Sequence, residues 1–181
     1  MQSMTRDIAA GAAGGLAGGI VMSGAMVMAE HFGLEPMTPP VKVGRWASYH
    51  AGNRERLKED VTVREEAFAE TGHLVASAAL GAAFGALRGQ VALPPVVSGL
   101  AFGLGLYAIN YGALGPALTV TKKPWNVSPV QHAERAAIHA VFGMVIGLVA
   151  NALSKGGSPN GNGRRGRGDE RHRRDETRRR P

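Results

Sequence analysis

Long runs without a charged residue most strongly constrain what this chain can fold into. Residues 8–28, 96–118 and 136–153 contain no Asp, Glu, Lys or Arg. At about 1.5 Å per residue, helices of this length match the hydrocarbon core of a bilayer. A shorter run, 73–87, ends at Arg88, whose long side chain can reach the membrane interface. The sequence therefore predicts an all-α protein, a four-helix transmembrane bundle.

Local helix signals set the predicted domain boundaries. The segments TVRE (Thr62–Glu65) and SPVQ (Ser128–Gln131) are typical capping boxes, and they begin the second and fourth long helices. We predict a four-span membrane domain over residues 1–154, with an external loop at 34–66. The predicted spans are about 8–30, 67–89, 95–115 and 131–153.

The external loop is predicted to contain a helix of its own. Thr38 with two following prolines is a typical helix start, and Gly52 is a typical stop. Trp46 and Tyr49 lie three residues apart and so share one face. That pattern fits a helix lying in the headgroup layer and equally fits an ordinary surface helix.

Glycine recurs four residues apart in each apolar run. In water such glycines would destabilise a helix, by about 0.5–1 kcal/mol each relative to alanine. In lipid, small residues at this spacing let helix backbones approach closely. We therefore predict Gly-x-x-x-Gly packing, in which the faces either close one bundle or meet a second copy or another membrane partner. The predicted packing residues are Gly11, Gly15, Gly19, Gly81, Gly85, Gly99, Gly103, Gly143 and Gly147.

The last segment, residues 155–181, holds ten of the 21 Lys and Arg residues and almost no apolar side chain. This composition predicts a disordered basic C-terminal tail that anchors the topology or contacts anionic lipid headgroups. Interspersed acidic residues and the absence of an aromatic residue argue against nucleic acid as a partner. Lys and Arg near the span ends number twelve on one side and eight on the other, which predicts that both termini are cytoplasmic.

Polar residues cluster near those ends of the predicted spans that lie on the side away from both termini. Counting along the helices places His73, Asn110 and His139 at one depth. Three interpretations follow: a structural ion-pair network, a layer that senses or conducts protons or an ion, or a metal site. The layer comprises Glu30, His31, Glu70, His73, Asn110, His132, Glu134 and His139, and the metal candidates are Glu70, His73, His132 and His139. No cofactor is predicted, and the sequence has no phosphate-binding loop, G-x-S-x-G or H-E-x-x-H motif that would indicate catalysis.

Several segments resemble the YagU-like family of small bacterial inner-membrane proteins. They are EPMTPPVKV, ETGHLVASAALGAAFGALRG, SGLAFGLGLYAINYGALGP and KKPWNVSP, followed by a last helix with Glu134 and His139. The resemblance implies a four-span inner-membrane protein and assigns no catalytic residue. The expected function is a non-enzymatic membrane protein that handles protons or an ion, as in envelope or acid stress. The alternative is a structural or accessory subunit that assembles through its glycine-rich faces.

Overall fold

The computed structural model describes residues 2–33, 37–52, 60–90 and 93–155, and these ranges contain helices and no strand. The all-α prediction is therefore confirmed for this part of the chain. The elements are α1 (Gln2–His31), α2 (Pro39–His50), α3 (Val63–Arg88), α4 (Pro95–Ile109), a π-helical segment (Asn110–Leu114), α5 (Gly115–Ala117), a 3₁₀ turn (Pro124–Asn126) and α6 (Pro129–Lys155). The predicted tail beyond Lys155 lies outside the described residues.

Three helices in the described ranges are long and apolar enough to cross a membrane: Met4–His31, Pro95–Ala117 and Pro129–Lys155. The predicted span at 67–89 falls on α3, which is not among them. Charged residues occupy the first turns of α3 and shorten its apolar part. The crossing of α3 therefore stays a prediction, whereas the other three predicted spans have the required length and composition.

The predicted capping boxes are present at the starts of α3 and α6. The Thr62 hydroxyl accepts from the Glu65 backbone N–H, and the Thr62 N–H donates back to the Glu65 carboxylate at 3.0 Å. Ser128 and Gln131 make the same reciprocal pair before α6. These bonds satisfy backbone donors that a helix end otherwise leaves unpaired.

A π-helical segment interrupts the third long helix before Pro116. Proline has no N–H, and its ring clashes with the carbonyl four residues earlier, which here belongs to Gly112. The wider π turn relieves that clash, and the Gly115 N–H donates to the Asn110 carbonyl. The helix ends at Ala117, one residue after Pro116 and two residues beyond the predicted span end at 115.

α1 lies against α3 and runs antiparallel to it. A Cβ atom added to Gly11 would overlap the Gly81 carbonyl, and one added to Gly15 would overlap the Ser77 carbonyl. Gly85 lies in the same way against the carbonyl of Asp7. The two backbones therefore touch over three helical turns, with no side chain between them.

α6 packs between α1 and α4, antiparallel to both. On the α1 side, Gly14 lies against the backbone of Ile146, and Gly18 lies against Phe142. On the α4 side, each contact pairs a glycine with a backbone carbonyl of the facing helix: Gly99 with Gly143, Gly103 with His139, and Gly147 with Pro95. Every packing glycine named from the sequence thus faces another helix of the same chain.

The core lies where these four helices meet. Phe84, Phe142, Ile146 and Ala150 are buried together, and Phe102 packs against them. The rings of Phe84 and Phe102 lie 5.3 Å apart and join α3 to α4. The centre of the molecule is thus apolar, with polar groups at both ends.

One end, which we call the terminal end, contains the start of α1 and the ends of α3 and α6. Arg6 donates to the Leu153 carbonyl at 3.0 Å, and Ser154 donates to the Asp7 carboxylate at 2.7 Å. These two bonds connect residues near the first and last ends of the described chain. They fix α1 and α6 in register at this end.

We predict that Gly15→Ala destabilises the fold, whereas Gly24→Ala does not. A Cβ on Gly15 meets the backbone of α3, which cannot move aside, while one on Gly24 meets nothing within 4 Å. Overpacking of this kind costs about 1–3 kcal/mol, and an unopposed Gly→Ala in a helix gains up to about 1 kcal/mol. Unfolding in detergent micelles measures both. Equal stability of the two variants would contradict the contact.

Candidate functional site: a histidine layer

His139 is the most buried titratable group of the end opposite the terminal end, with 4% of its surface exposed. It lies in α6, and its Nδ1 is 2.9 Å from the Arg135 carbonyl one turn earlier. A carbonyl only accepts, so Nδ1 carries the proton. In the neutral ring, Nε2 is then the atom that can take up another proton.

Two tyrosines of the third long helix enclose this imidazole. The rings of Tyr107 and Tyr111 lie 5.9 Å and 5.7 Å from the His139 ring, both in edge-on geometry. The Arg135 guanidinium stacks over Tyr111 at 4.7 Å. His139 therefore lies in an aromatic box with a permanent positive charge beside it.

His132 connects three parts of this end. Its Nε2 lies 2.8 Å from the Pro124 carbonyl, and its Nδ1 bonds the Tyr107 hydroxyl. Since the carbonyl can only accept, Nε2 donates to it and the neutral Nδ1 accepts from Tyr107. The ring thus joins α6 to α4 and to the turn before α6.

His73 belongs to this end of the molecule too, but it lies on α3 rather than on α4 or α6. Its Nε2 is buried with no partner in the described part of the chain. Glu70 lies close enough for its charge to act on His73, and its carboxylate accepts from the Ser23 hydroxyl at 2.6 Å. A positive charge on His73 would disfavour a second one on His139. We call His73, His132 and His139 the histidine layer.

A small cavity of about 20 Å³ lies beside His139, between α1, α2 and α6. It can hold about one water molecule. Glu134 also lines it, and the Glu134 Oε2 is buried without a hydrogen-bond partner among the described residues. Met22, Met26 and Ala29 of α1 and the first residues of α2 close its other walls. An imidazole and a carboxylate thus share one water-sized space.

A larger groove of about 550 Å³ runs between α1, α2 and α3. Carboxylates line it at Glu30, Glu66 and Glu70, and valines and methionines form the rest of its wall. Because Glu70 lies in this groove and beside His73, the groove brings solvent to one side of the histidine layer.

All the sequence-predicted site residues except Asn110 fall into two groups. Glu70, His73, His132, Glu134 and His139 lie in or beside the histidine layer, as described above. Glu30 and His31 are exposed at the end of α1, where Glu30 faces the groove.

Asn110 does not share the depth of His139. The residue level with His139 is Gly103, and Asn110 follows it by two turns, or about 10 Å. The reason is that Pro95 lies level with Gly147, so α4 begins well inside the end of α6. Tyr107 and Tyr111 occupy the positions beside His139.

No group of three or more His, Asp or Glu side chains in the described ranges is arranged to hold a metal ion. The candidates Glu70 and His73 lie on α3, whereas His132 makes two bonds to Tyr107 and Pro124 that use both of its ring nitrogens. The described residues therefore give the metal interpretation no ligand set.

Sequence reasoning missed Tyr107 and Ser23 as members of this region. A signal was available for Tyr107, since it lies four residues before Tyr111 and shares its helix face in an otherwise aliphatic run. Ser23 has no such signal, because only the packing of α1 on α3 brings it to Glu70.

Comparison with protein-family models, with curated proteins and with solved structures finds no match for this chain. The fold and the histidine layer define a helical protein with three candidate membrane-spanning helices and a buried polar layer near one end. The resemblance to the YagU-like family stays a prediction.

We predict that His132→Ala lowers stability more than Tyr107→Phe does. The phenylalanine loses one hydrogen bond, worth about 1 kcal/mol, whereas the alanine loses two and leaves the Pro124 carbonyl unpaired. Unfolding in detergent measures the difference. Trp125→Phe, at a residue 76% exposed in the same turn, is the control and should stay within about 0.5 kcal/mol. Equal losses for His132→Ala and Tyr107→Phe would contradict the assignment of two hydrogen bonds to His132.

Proposed function

We propose that this chain is a small, non-enzymatic integral membrane protein that senses protons through the histidine layer. The observation that carries the proposal is His139, a buried imidazole with one proton-accepting nitrogen beside a water-sized cavity that it shares with Glu134. Histidine is the side chain whose charge changes near neutral pH, and Glu/His clusters within membranes commonly take up protons.

The four long helices are proposed to form a transmembrane bundle, with α3 as the fourth span. The glycine contacts between α1, α3, α4 and α6 support this, because close backbone approach is how helices associate in lipid. We further propose the bacterial inner membrane, with both termini cytoplasmic and the histidine layer near the outer face. The charge asymmetry of the sequence and the resemblance to the YagU-like family support this placement.

Sensing is favoured over conduction by what lies between the two ends. Below the histidine layer, the core consists of Phe84, Phe102, Phe142, Ile146 and Ala150. Apart from the buried Ser77 hydroxyl, one turn from His73 on α3, this region of the described chain offers a proton no polar side chain to move along. Protons reach the layer through the groove that Glu70 lines and stay at that end.

The response to a proton follows from the groups around His139. Protonation adds a positive charge beside Arg135 of α6 and opposite His73 of α3, with Glu134 and the two tyrosines as its other polar neighbours. Burial of a charge is costly, and the like charges repel. We therefore expect this end to loosen as the pH falls, with α1 and α2 moving off the cavity.

The absence of cysteine makes this opening measurable with one reporter thiol. Ala29 lines the cavity and is 7% exposed, so Ala29→Cys reports access to the layer. The full chain, in phosphatidylcholine nanodiscs, is labelled with a maleimide at pH 5.5 and 7.5. The ratio of the labelling rate at pH 5.5 to that at pH 7.5 is compared with the same ratio in an Ala29→Cys/His139→Gln double variant. Because both proteins carry the same thiol, its own pH dependence cancels in the comparison.

We expect acid to raise access in the Ala29→Cys variant by about fivefold relative to the His139→Gln background, as about 1 kcal/mol of opening free energy produces. His50→Gln, at an exposed histidine of α2, is the control and should behave as the parent. If the two backgrounds respond alike to pH, the layer does not sense protons, and the accessory-subunit hypothesis is favoured.

A second measurement separates sensing from conduction. We predict that proteoliposomes containing the chain are no more permeable to protons than those containing His139→Gln, since the apolar core blocks passage. An internal pH dye measures the flux. A proton leak that His139→Gln removes would replace the sensing function by conduction.

A further inference from the structure

The terminal end contains a recess that exists because α4 is short. Pro95, the first residue of α4, lies level with Gly147, and α6 continues eight residues further to Lys155. At 1.5 Å per residue, α6 extends about 12 Å past the start of α4. α3 also reaches this level, because Gly85 lies against Asp7, which is bonded to Ser154. The described residues form a recess where two more turns of α4 would lie.

This terminal recess has a volume of about 260 Å³. Cations and neutral polar groups line it: Arg88 from α3, Lys155 and Asn151 from α6, and Ser98 from α4. Phe84 and Leu93 form its apolar wall. Among the described residues, its lining contains two cations and no carboxylate, which makes the lining basic.

Arg88 contributes an unpaired hydrogen-bond donor to the recess. Its Nη1 is buried and has no hydrogen-bond partner among the described residues. An unpaired buried donor on a charged group is costly, and a planar guanidinium matches the oxygens of a phosphate or carboxylate. The first turn of α4 also points its free N–H groups, with the positive end of the helix dipole, toward this end.

We propose that the terminal recess binds the phosphate group of an anionic phospholipid. Arg88 and Lys155 pair with the phosphate, Ser98 and Asn151 contact the rest of the headgroup, and the acyl chains lie along Phe84 and Leu93. The recess has room for a headgroup, since it is several times the roughly 30 Å³ that a water molecule occupies.

A phospholipid fits better than a free anion for two reasons. The recess lies at the ends of α4 and α6, both of which are apolar enough to cross a membrane, so it lies at headgroup level. Its wall is half-apolar in character, which suits a ligand with a hydrocarbon portion. The inference rests on the proposed membrane insertion, but it does not depend on proton sensing.

The test is lipid retention by the full chain, measured by native mass spectrometry. The protein is released from nanodiscs of phosphatidylcholine with or without 20% phosphatidylglycerol, and bound lipids are counted. Arg88→Gln and Lys155→Gln remove the recess charges. Arg64→Gln, exposed at the other end of α3, removes the same charge elsewhere. The basic tail is present in every variant, so its own lipid binding cancels.

We expect phosphatidylglycerol to be retained in preference to phosphatidylcholine. Each recess variant should lower this retention by about fivefold, as the loss of one cation near an anionic lipid predicts, and Arg64→Gln should not. Arg88→Lys should restore part of the retention, which separates loss of charge from loss of fold. Equal retention by recess and control variants, or no preference for the anionic lipid, would overturn the proposal.

Two controls assign a failure to its cause. Millimolar inorganic phosphate that displaces the lipid completely would identify a free-anion site and overturn the phospholipid assignment. The pH response of Ala29→Cys, measured in the Arg88→Gln background, reports on the histidine layer at the far end. If Ala29→Cys with native Arg88 shows no pH response but retains phosphatidylglycerol normally, proton sensing is excluded and the lipid site is still supported.

Discussion

The fold depends on helix backbones that touch directly at glycine. Gly15 against Ser77, and Gly103 against His139, leave no room for even a methyl group between the helices. Such contacts gain dispersion energy only if the register is held to within a fraction of a turn. The axial position of every other side chain follows from that register.

The same register produces two chemically different ends. It places the His139 imidazole beside Tyr107 and Tyr111, where it is buried with one proton-accepting nitrogen. It also starts α4 two turns inside the end of α6, which leaves the terminal recess around Arg88 and Lys155. The apolar core around Phe142 and Ile146 separates the two ends. The proposed proton site and the proposed lipid site therefore lie on opposite sides of an apolar core.

Much of the fold could be predicted because its signals are local. The caps at Thr62 and Ser128 and the helix α2 (Pro39–His50) each depend on neighbours within a few residues. The site was predicted less completely. His73 and His139 were named because a histidine in an apolar run is conspicuous, whereas counting from helix ends does not include the offset by which α4 begins inside the end of α6.

By itself, the sequence predicted an all-helical protein with four spans, and the described residues confirm the helices and show three that are long and apolar enough to cross a membrane. These properties follow from the composition of each segment and from the spacing of its apolar residues and glycines along a single helix. Only the tertiary structure decided which groups meet: Tyr107 with His132, Ser23 with Glu70, and Arg88 with the space left by α4. The physical reason is that the offset between helices is set by backbone contact across the interface, and no single helix carries that information.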